Sequence, residues 1–150
     1  MTTLRFSKVR EVKTPTRGTP GSAGIDFFVP EGVINDVTTI GAGMSQNIPS
    51  GIRADVPEGF ALVAFNKSGV ALKKSLVVGA CVVDSDYQGE IHLHVMNVSG
   101  QPACVRPGEK LVQFLLLPVD HCGLEEVRDD ELFQETTARG DGAFGSTGVA

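Results

Sequence analysis

The densest run of chemically able side chains lies between Asp84 and Glu90, where the chain reads Asp84-Ser85-Asp86-Tyr87-Gln88-Gly89-Glu90. A carboxylate whose geometry is fixed can hold a water and deprotonate it. Asp84 admits that reading, and also the plainer one of a turn aspartate ahead of Tyr87 and Gly89. Taken alone, the turn is the better account. Asp84 with Asp86 also admits a direct metal site. Tyr87 is the only tyrosine of the chain, and by itself a strand tyrosine reads as core or rim. His92 and His94 are two apart, so on a strand they share a face and both rings could reach one ion. No cysteine or third histidine lies close to them in sequence, and packing or subunit contact accounts for them better. Gln113 sits in a strongly apolar run and needs a hydrogen-bond partner whatever else it does. From Arg139 the tail reads RGDGAFGSTGVA. Its glycines and hydroxyl residues offer N–H and O–H donors that suit phosphate oxygens. A Gly-rich end also has little intrinsic order and commonly frays.

These residues need elements to hold them. Eighteen Gly and eight Pro are spread along the chain and cut it into short pieces, which suits strands of about five or six residues and few full helices. Residues 60–65 (FALVAF) and 111–119 (LVQFLLLPV, broken by Gln113) are apolar runs that fit strands buried on both faces. Ile91, Leu93 and Val95 alternate with His92, His94 and Met96, a period of two that marks a strand with unlike faces. Helix is expected only for a turn or two after Ser68 and near residues 129–133. The pattern predicts an all-β fold: a sandwich, jelly roll or barrel. No internal repeat is visible.

At 150 residues the chain suits one domain. Its 41% hydrophobic and 21% charged residues are those of a soluble globular protein. No apolar run reaches the roughly 18 residues of a membrane span, and the N-terminal stretch lacks the apolar core of a signal peptide. The expected compartment is therefore the cytoplasm. Cys81, Cys104 and Cys122 are odd in number and widely spaced, which argues for reduced structural thiols over a disulfide frame or a zinc site. Net charge is −5 and Lys73-Lys74 is the densest basic pair, so a grip on long nucleic acid is not expected. A small anionic substrate remains open, because a divalent cation and local donors can offset the overall charge.

Five segments, taken together, change the weight of these readings. They are GSAGIDFF (21–28), NKSGVALK (66–73), VGACVVDSDYQGEIHLHVMN (78–97), PGEKLVQF (107–114) and RGDGAFGSTG (139–148). In order and spacing they resemble the five motifs of the trimeric dUTPase family, from about Gly21 to Gly148. The DSDYQGEI run and the GAFGSTG tail are the specific ones. The resemblance implies a jelly-roll-like β-barrel and a homotrimer with active sites shared between subunits. It also implies a flexible Gly-rich C-terminal arm, about residues 136–150, that closes over a site. The implied reaction is Mg²⁺-dependent hydrolysis of dUTP to dUMP and pyrophosphate, which limits uracil incorporation into DNA and supplies dUMP for dTMP synthesis. The compartment would then be the cytoplasm, or the nucleus or host cytosol for a viral protein.

Residue by residue, the resemblance makes Asp84 the base that activates water for attack at the α-phosphate. Tyr87 would pack on the deoxyribose and exclude a 2′-hydroxyl. The backbone of Val78, Gly79, Cys81, Val82, Val83 and His92 would read the uracil edge, and Phe144 would stack on the base. Phosphate contacts would come from Lys67, Ser68, Gly69, Gln113, Arg139, Gly145, Ser146 and Thr147, with Arg139 forking onto the γ-phosphate. Mg²⁺ would ride mainly on the triphosphate oxygens, with Asp26 holding one of its waters.

The chain also departs from the family pattern. Asn66-Lys67-Ser68-Gly69 stands where Pro-Arg-Ser-Gly is usual, so the charge stays and the fork is lost. Lys110 replaces a common arginine, and His92 a small or apolar residue. Two other functions fit the fold. A dCTP deaminase, or a bifunctional deaminase–dUTPase, would need a further acid–base group at the pyrimidine 4-position. A nucleotide-gated regulatory binding protein would need a partner surface.

Overall fold

Short apolar stretches punctuated by glycine give short strands. The computed structural model describes residues 2–143. Its strands are β1 (Arg5–Lys8), β2 (Ile25–Phe28), β3 (Thr38–Ile40), β4 (Ser45–Pro49), β5 (Ile52–Asp55), β6 (Phe60–Asn66), β7 (Leu76–Val78), β8 (Val82–Val83), β9 (His92–Asn97), β10 (Ala103–Val105) and β11 (Lys110–Pro118). One α-helix, α1 (Ser68–Lys74), and one 3₁₀ turn (Asp129–Glu131) complete the described elements. Both fall where helix was expected, the second as a single 3₁₀ turn. No helix is long and apolar enough to cross a membrane among the described residues. The chain falls into two units divided after Asp120.

In the first unit every pairing is antiparallel, in the orders β1–β5, β3–β10, β2–β11–β6–β8 and β4–β9–β7. Among the described residues no strand pairs with its neighbour in sequence. Such a chain closes non-local pairs throughout, as a jelly-roll-like all-β fold does and a meander does not.

The core lies between the sheets. Phe27 and Phe114 meet with ring centroids 4.4 Å apart, beside the fully buried Ile48, Leu62, Leu93 and Val95. β9 keeps the expected alternation: Leu93 and Val95 are buried, while His92 and Met96 are exposed. Asn97 continues the buried row and is satisfied there. Its amide donates to the carbonyls of Ile40 and Gln101, and its Oδ1 accepts from Ser99 N–H and Oγ–H.

β6 and β11 depart from the expectation that both faces are buried. Their inward residues Leu62, Ala64, Val112 and Phe114 are buried, but Phe65 is 42% exposed and Leu115, Leu116 and Leu117 are half-buried. Cross-strand partners share a face. The pairs Gln113–Phe65, Leu115–Val63 and Val63–Val82 therefore lie together on the outer side of the four-stranded sheet. Apart from Gln113 these residues are apolar, and Phe65 and Val82 stand exposed there. A shift in register between Lys110 and Val112 lets Leu111 and Val112 both turn inward, as a bulge does.

The cysteines are free. Cys81 and Cys104 are half-buried and Cys122 is exposed. In the second unit Arg128 forks onto Asp130. A turn at Thr137–Gly142 uses the positive φ of Gly140 (52°).

Candidate active site

The predicted residues of the first unit gather in two groups. The first is built on β2, β11 and the end of β6. Asp26 pairs with Gln113 across β2–β11, and Gln113 with Phe65 across β11–β6. Asp26 is 4% exposed. Such a carboxylate needs partners, and it has two: the Lys67 ammonium on Oδ1, and Lys110 Nζ on Oδ2 at 3.2 Å. Two ammonium groups on one carboxylate leave a local excess of one positive charge. Lys67 adopts an extended conformation ahead of α1. Ser68 and Gly69 open the helix and are exposed, and first-turn N–H groups have no partner within a helix.

Gln113 has its partner in Asn66, whose carbonyl accepts from Nε2 at 2.7 Å. Asn66 Oδ1 accepts from Val78 N–H at 2.7 Å. The Gln113 amide lies over Gly24, where any Cβ would collide with it. This explains a glycine two residues ahead of Asp26.

The second group lines a groove of about 190 Å³ formed by Cys81, Val82, Val83, Asp84, Tyr87 and His92, with Ala80, Glu90, Ile91 and Phe114. Asp84 is both of the things its sequence allowed. Its carbonyl accepts from Tyr87 N–H at 3.2 Å, closing a turn, and its side chain stands exposed at the groove. The Tyr87 hydroxyl donates to the Glu90 carbonyl at 2.9 Å. Its ring lies over Gly89, where a Cβ would overlap the phenol. His92 Nδ1 is 3.0 Å from that same carbonyl, so it carries the proton and donates. His94 instead accepts, from Ala80 N–H. The two rings are thus engaged separately. Among the described residues no three His, Cys, Asp or Glu side chains form a metal cluster.

Side chains that the sequence did not single out hold this loop. Arg10 forks onto Glu90 at 2.8 and 3.0 Å, and Glu90 Oε1 also accepts from Gly51 N–H at 2.8 Å. The Arg10 hydrogen bond, aided by Gly51 N–H and outweighing partial burial, holds the Glu90 carboxyl below its ordinary range. The same bond raises the Arg10 guanidinium. Arg53 Nε donates to the Gln88 carbonyl at 2.7 Å. Arg10 lies 80 residues from its partner, so nothing local in the sequence marks it.

Val78 joins the first group through Asn66, and neither it nor Gly79 lines the groove, while Asp84 and Lys67 are set apart along β6. Val83 pairs with Leu62 on β6, and Lys67 follows five residues later, about 16 Å of extended chain. Arg139, in the second unit, donates from Nε to the Gly142 carbonyl at 2.9 Å. Phe144, Gly145, Ser146 and Thr147 lie outside the described residues.

The donor set fits Mg²⁺ only in a restricted way. The ion prefers oxygen ligands. Asp26 offers one carboxylate, already shared by two ammonium groups. A cage made by protein alone does not fit here, whereas an ion arriving on a polyanion does.

The chain is 38% identical over 146 residues to the deoxyuridine 5′-triphosphate nucleotidohydrolase of Desulfitobacterium hafniense, covering 95% of this chain and 92% of that one. It is 34% identical over 142 residues to that of Haemophilus ducreyi, covering 93% and 89%. The fold matches a Staphylococcus bacteriophage 80alpha dUTPase solved with dUPNHPP, with TM-score 0.85, 21% identity and coverage of 99% and 100%. It also matches a mutant dUTPase from phage phi11 of S. aureus, described with a structural Mg(II) ion, with TM-score 0.72, 20% identity and coverage of 85% and 98%. The profile of the dUTPase family matches residues 10–148, and the chain belongs to that family.

Proposed function

We propose that this chain hydrolyses dUTP to dUMP and pyrophosphate, with Asp84 as the base. The observation that carries the reading is the groove that gathers Cys81, Val82, Val83, Asp84, Tyr87 and His92 around one exposed carboxylate, in a chain matched to the dUTPase family over residues 10–148. A cavity this small suits one pyrimidine ring. Asp84 takes a proton from water as the water oxygen bonds to the α-phosphorus. The bond from that phosphorus to the bridging oxygen breaks, and pyrophosphate leaves. Tyr87, held by the Glu90 carbonyl, stands against the sugar and leaves no space for a 2′-hydroxyl. Val78, Gly79 and the backbone of Cys81–Val83 and His92 read the base.

Phosphates fall to Lys67, Ser68, Gly69 and Gln113, and to Arg139, Gly145, Ser146 and Thr147 of the arm, with Phe144 stacking on uracil. A bound Mg²⁺ would screen the triphosphate charge, carried on its oxygens, with Asp26 on one of the ion's waters. For this Lys67 leaves Asp26 for phosphate, and Lys110 keeps the carboxylate paired. The distance between the two groups supports a homotrimer, in which one copy's groove faces another's Lys67. The apolar outer face of Val63, Phe65, Val82 and Leu115 supports the same assembly. Residues 1–150 then act as one domain with its arm, in the cytoplasmic nucleotide pool.

Pyrophosphate release from dUTP, dTTP, dCTP and UTP with Mg²⁺, wild type beside Asp84→Ala, tests the reading. Release from dUTP alone, abolished by the substitution, supports it. Uridine nucleotide from dCTP would indicate deamination instead. Bound but unhydrolysed dUTP would indicate a regulatory role.

A further inference from the structure

We infer that His94 is a positioning residue for base recognition, pinning the turn between β7 and β8 in the shape that reads uracil. The inference rests on the function proposed above. Three observations carry it. The Ala80 N–H donates to His94 Nδ1 at 2.9 Å. The Gly79 N–H donates to the His94 carbonyl at 3.0 Å. The imidazole also lies so close to Gly79 that any Cβ there would collide with the ring. One residue of β9 therefore grips two successive turn residues, one by its backbone and one by its side chain.

The turn has little else to hold it. β7 ends at Val78, opposite Val95, and β8 has only Val82 and Val83. Between them, Cys81 is tied by its carbonyl, which accepts from Ala64 N–H at 2.7 Å. Without the imidazole, Gly79 and Ala80 lose a side-chain anchor, and glycine gives the freed segment wide conformational freedom. Ala80 and Cys81 line the groove at this end, so a shift of the turn moves the backbone that would face the base. Binding geometry held by such a contact is set before the ligand arrives.

The bond also specifies the ring's protonation. An acceptor Nδ1 carries a lone pair, so the neutral ring has its proton on Nε2. His92, two residues earlier, has the reverse arrangement, with Nδ1–H on the Glu90 carbonyl.

The test compares His94→Leu, His94→Asn and Gly79→Ala with wild type. Asparagine places an acceptor near the position of Nδ1; leucine fills space without one. Loss of one such hydrogen bond predicts a KM for dUTP raised about threefold to tenfold in His94→Leu, with kcat little changed. Gly79→Ala should raise KM likewise, and His94→Asn should return it close to wild type. Nitrogen-15 spectra of wild type should show His94 Nδ1 unprotonated and Nε2 protonated. Thermal melting of each variant separates misfolding from misplacement, because only misplacement is corrected by asparagine at equal melting temperature. Wild type active on dUTP with His94→Leu unchanged in KM overturns the role of His94 alone. His94→Asn as weak as His94→Leu, or a protonated Nδ1, does the same. Wild type silent on dUTP overturns the proposed function, and this role with it.

Discussion

Replacing Asp26 by asparagine removes the carboxylate that joins Lys67 and Lys110 while keeping the shape. Breaking a buried pair by removing one partner costs about 3–5 kcal/mol, because the charge left behind stays unpaired. Here the charges left behind have an escape. The Asp26 side chain is 6% exposed, but Lys67 is 22% and Lys110 45% exposed, so both ammonium tips can turn toward water. Screening of that kind brings the expected loss to about 2 kcal/mol. For a chain of this length, that lowers the melting temperature by about 4–8 °C. Lys67→Met should cost less, about 1 kcal/mol, since Lys110 still pairs Asp26. The double variant should lose less than the two single losses added, because both act on one contact. Calorimetry at one fixed protein concentration reads all three, since any self-association makes stability depend on concentration. Asp26→Asn melting within about 1 °C of wild type, or additive losses, would refute the view that these three charges form one unit.

Glu90→Gln should lower the melting temperature at pH 7, and the gap to wild type should close in acid. The Glu90 carboxyl is held low when folded, so its contribution is complete above the unfolded value of about 4.3 and is lost as pH falls through the folded value. Melting curves at pH 7 and pH 3 check this; an equal gap at both would count against the Arg10 clamp. Gly24→Ala should match Gln113→Ala in raising the KM for dUTP, because both displace the same amide from Asn66, and steady-state kinetics would show any difference. Tyr87→Ala should admit UTP, measured as the ratio of kcat/KM for dUTP to that for UTP; an unchanged ratio would remove Tyr87 from sugar selection. Phe114→Ala should cost about 3–5 kcal/mol by denaturant unfolding, since it empties the contact with Phe27 at the centre of the core.

Much of this was legible along the chain because it depends on neighbours in sequence. The alternation through His92–Asn97, the turn at Asp84–Tyr87 and the short helix from Ser68 arise from residues a few positions apart. The five motifs carried the family for the same reason: each is a local run. Pairing was not legible. Every described strand pairs with one distant in sequence, and no local rule selects Ile25–Phe28 as the partner of Lys110–Pro118.

Tertiary structure alone decided what surrounds each side chain. It placed Lys67 and Lys110, 41 and 84 positions further along the chain, on a buried Asp26. It set Arg10 on Glu90 across 80 residues. It turned His92 and His94 to different partners, though strand period puts them on one face. It left Phe65 and Leu115 on an outer surface, though an unbroken apolar run reads as wholly interior. Side-chain type and spacing specify which groups can react and which face of a strand they share. Burial, charge pairing and hydrogen-bond partners come from segments the fold brings together, and these determine which of those groups are free to act.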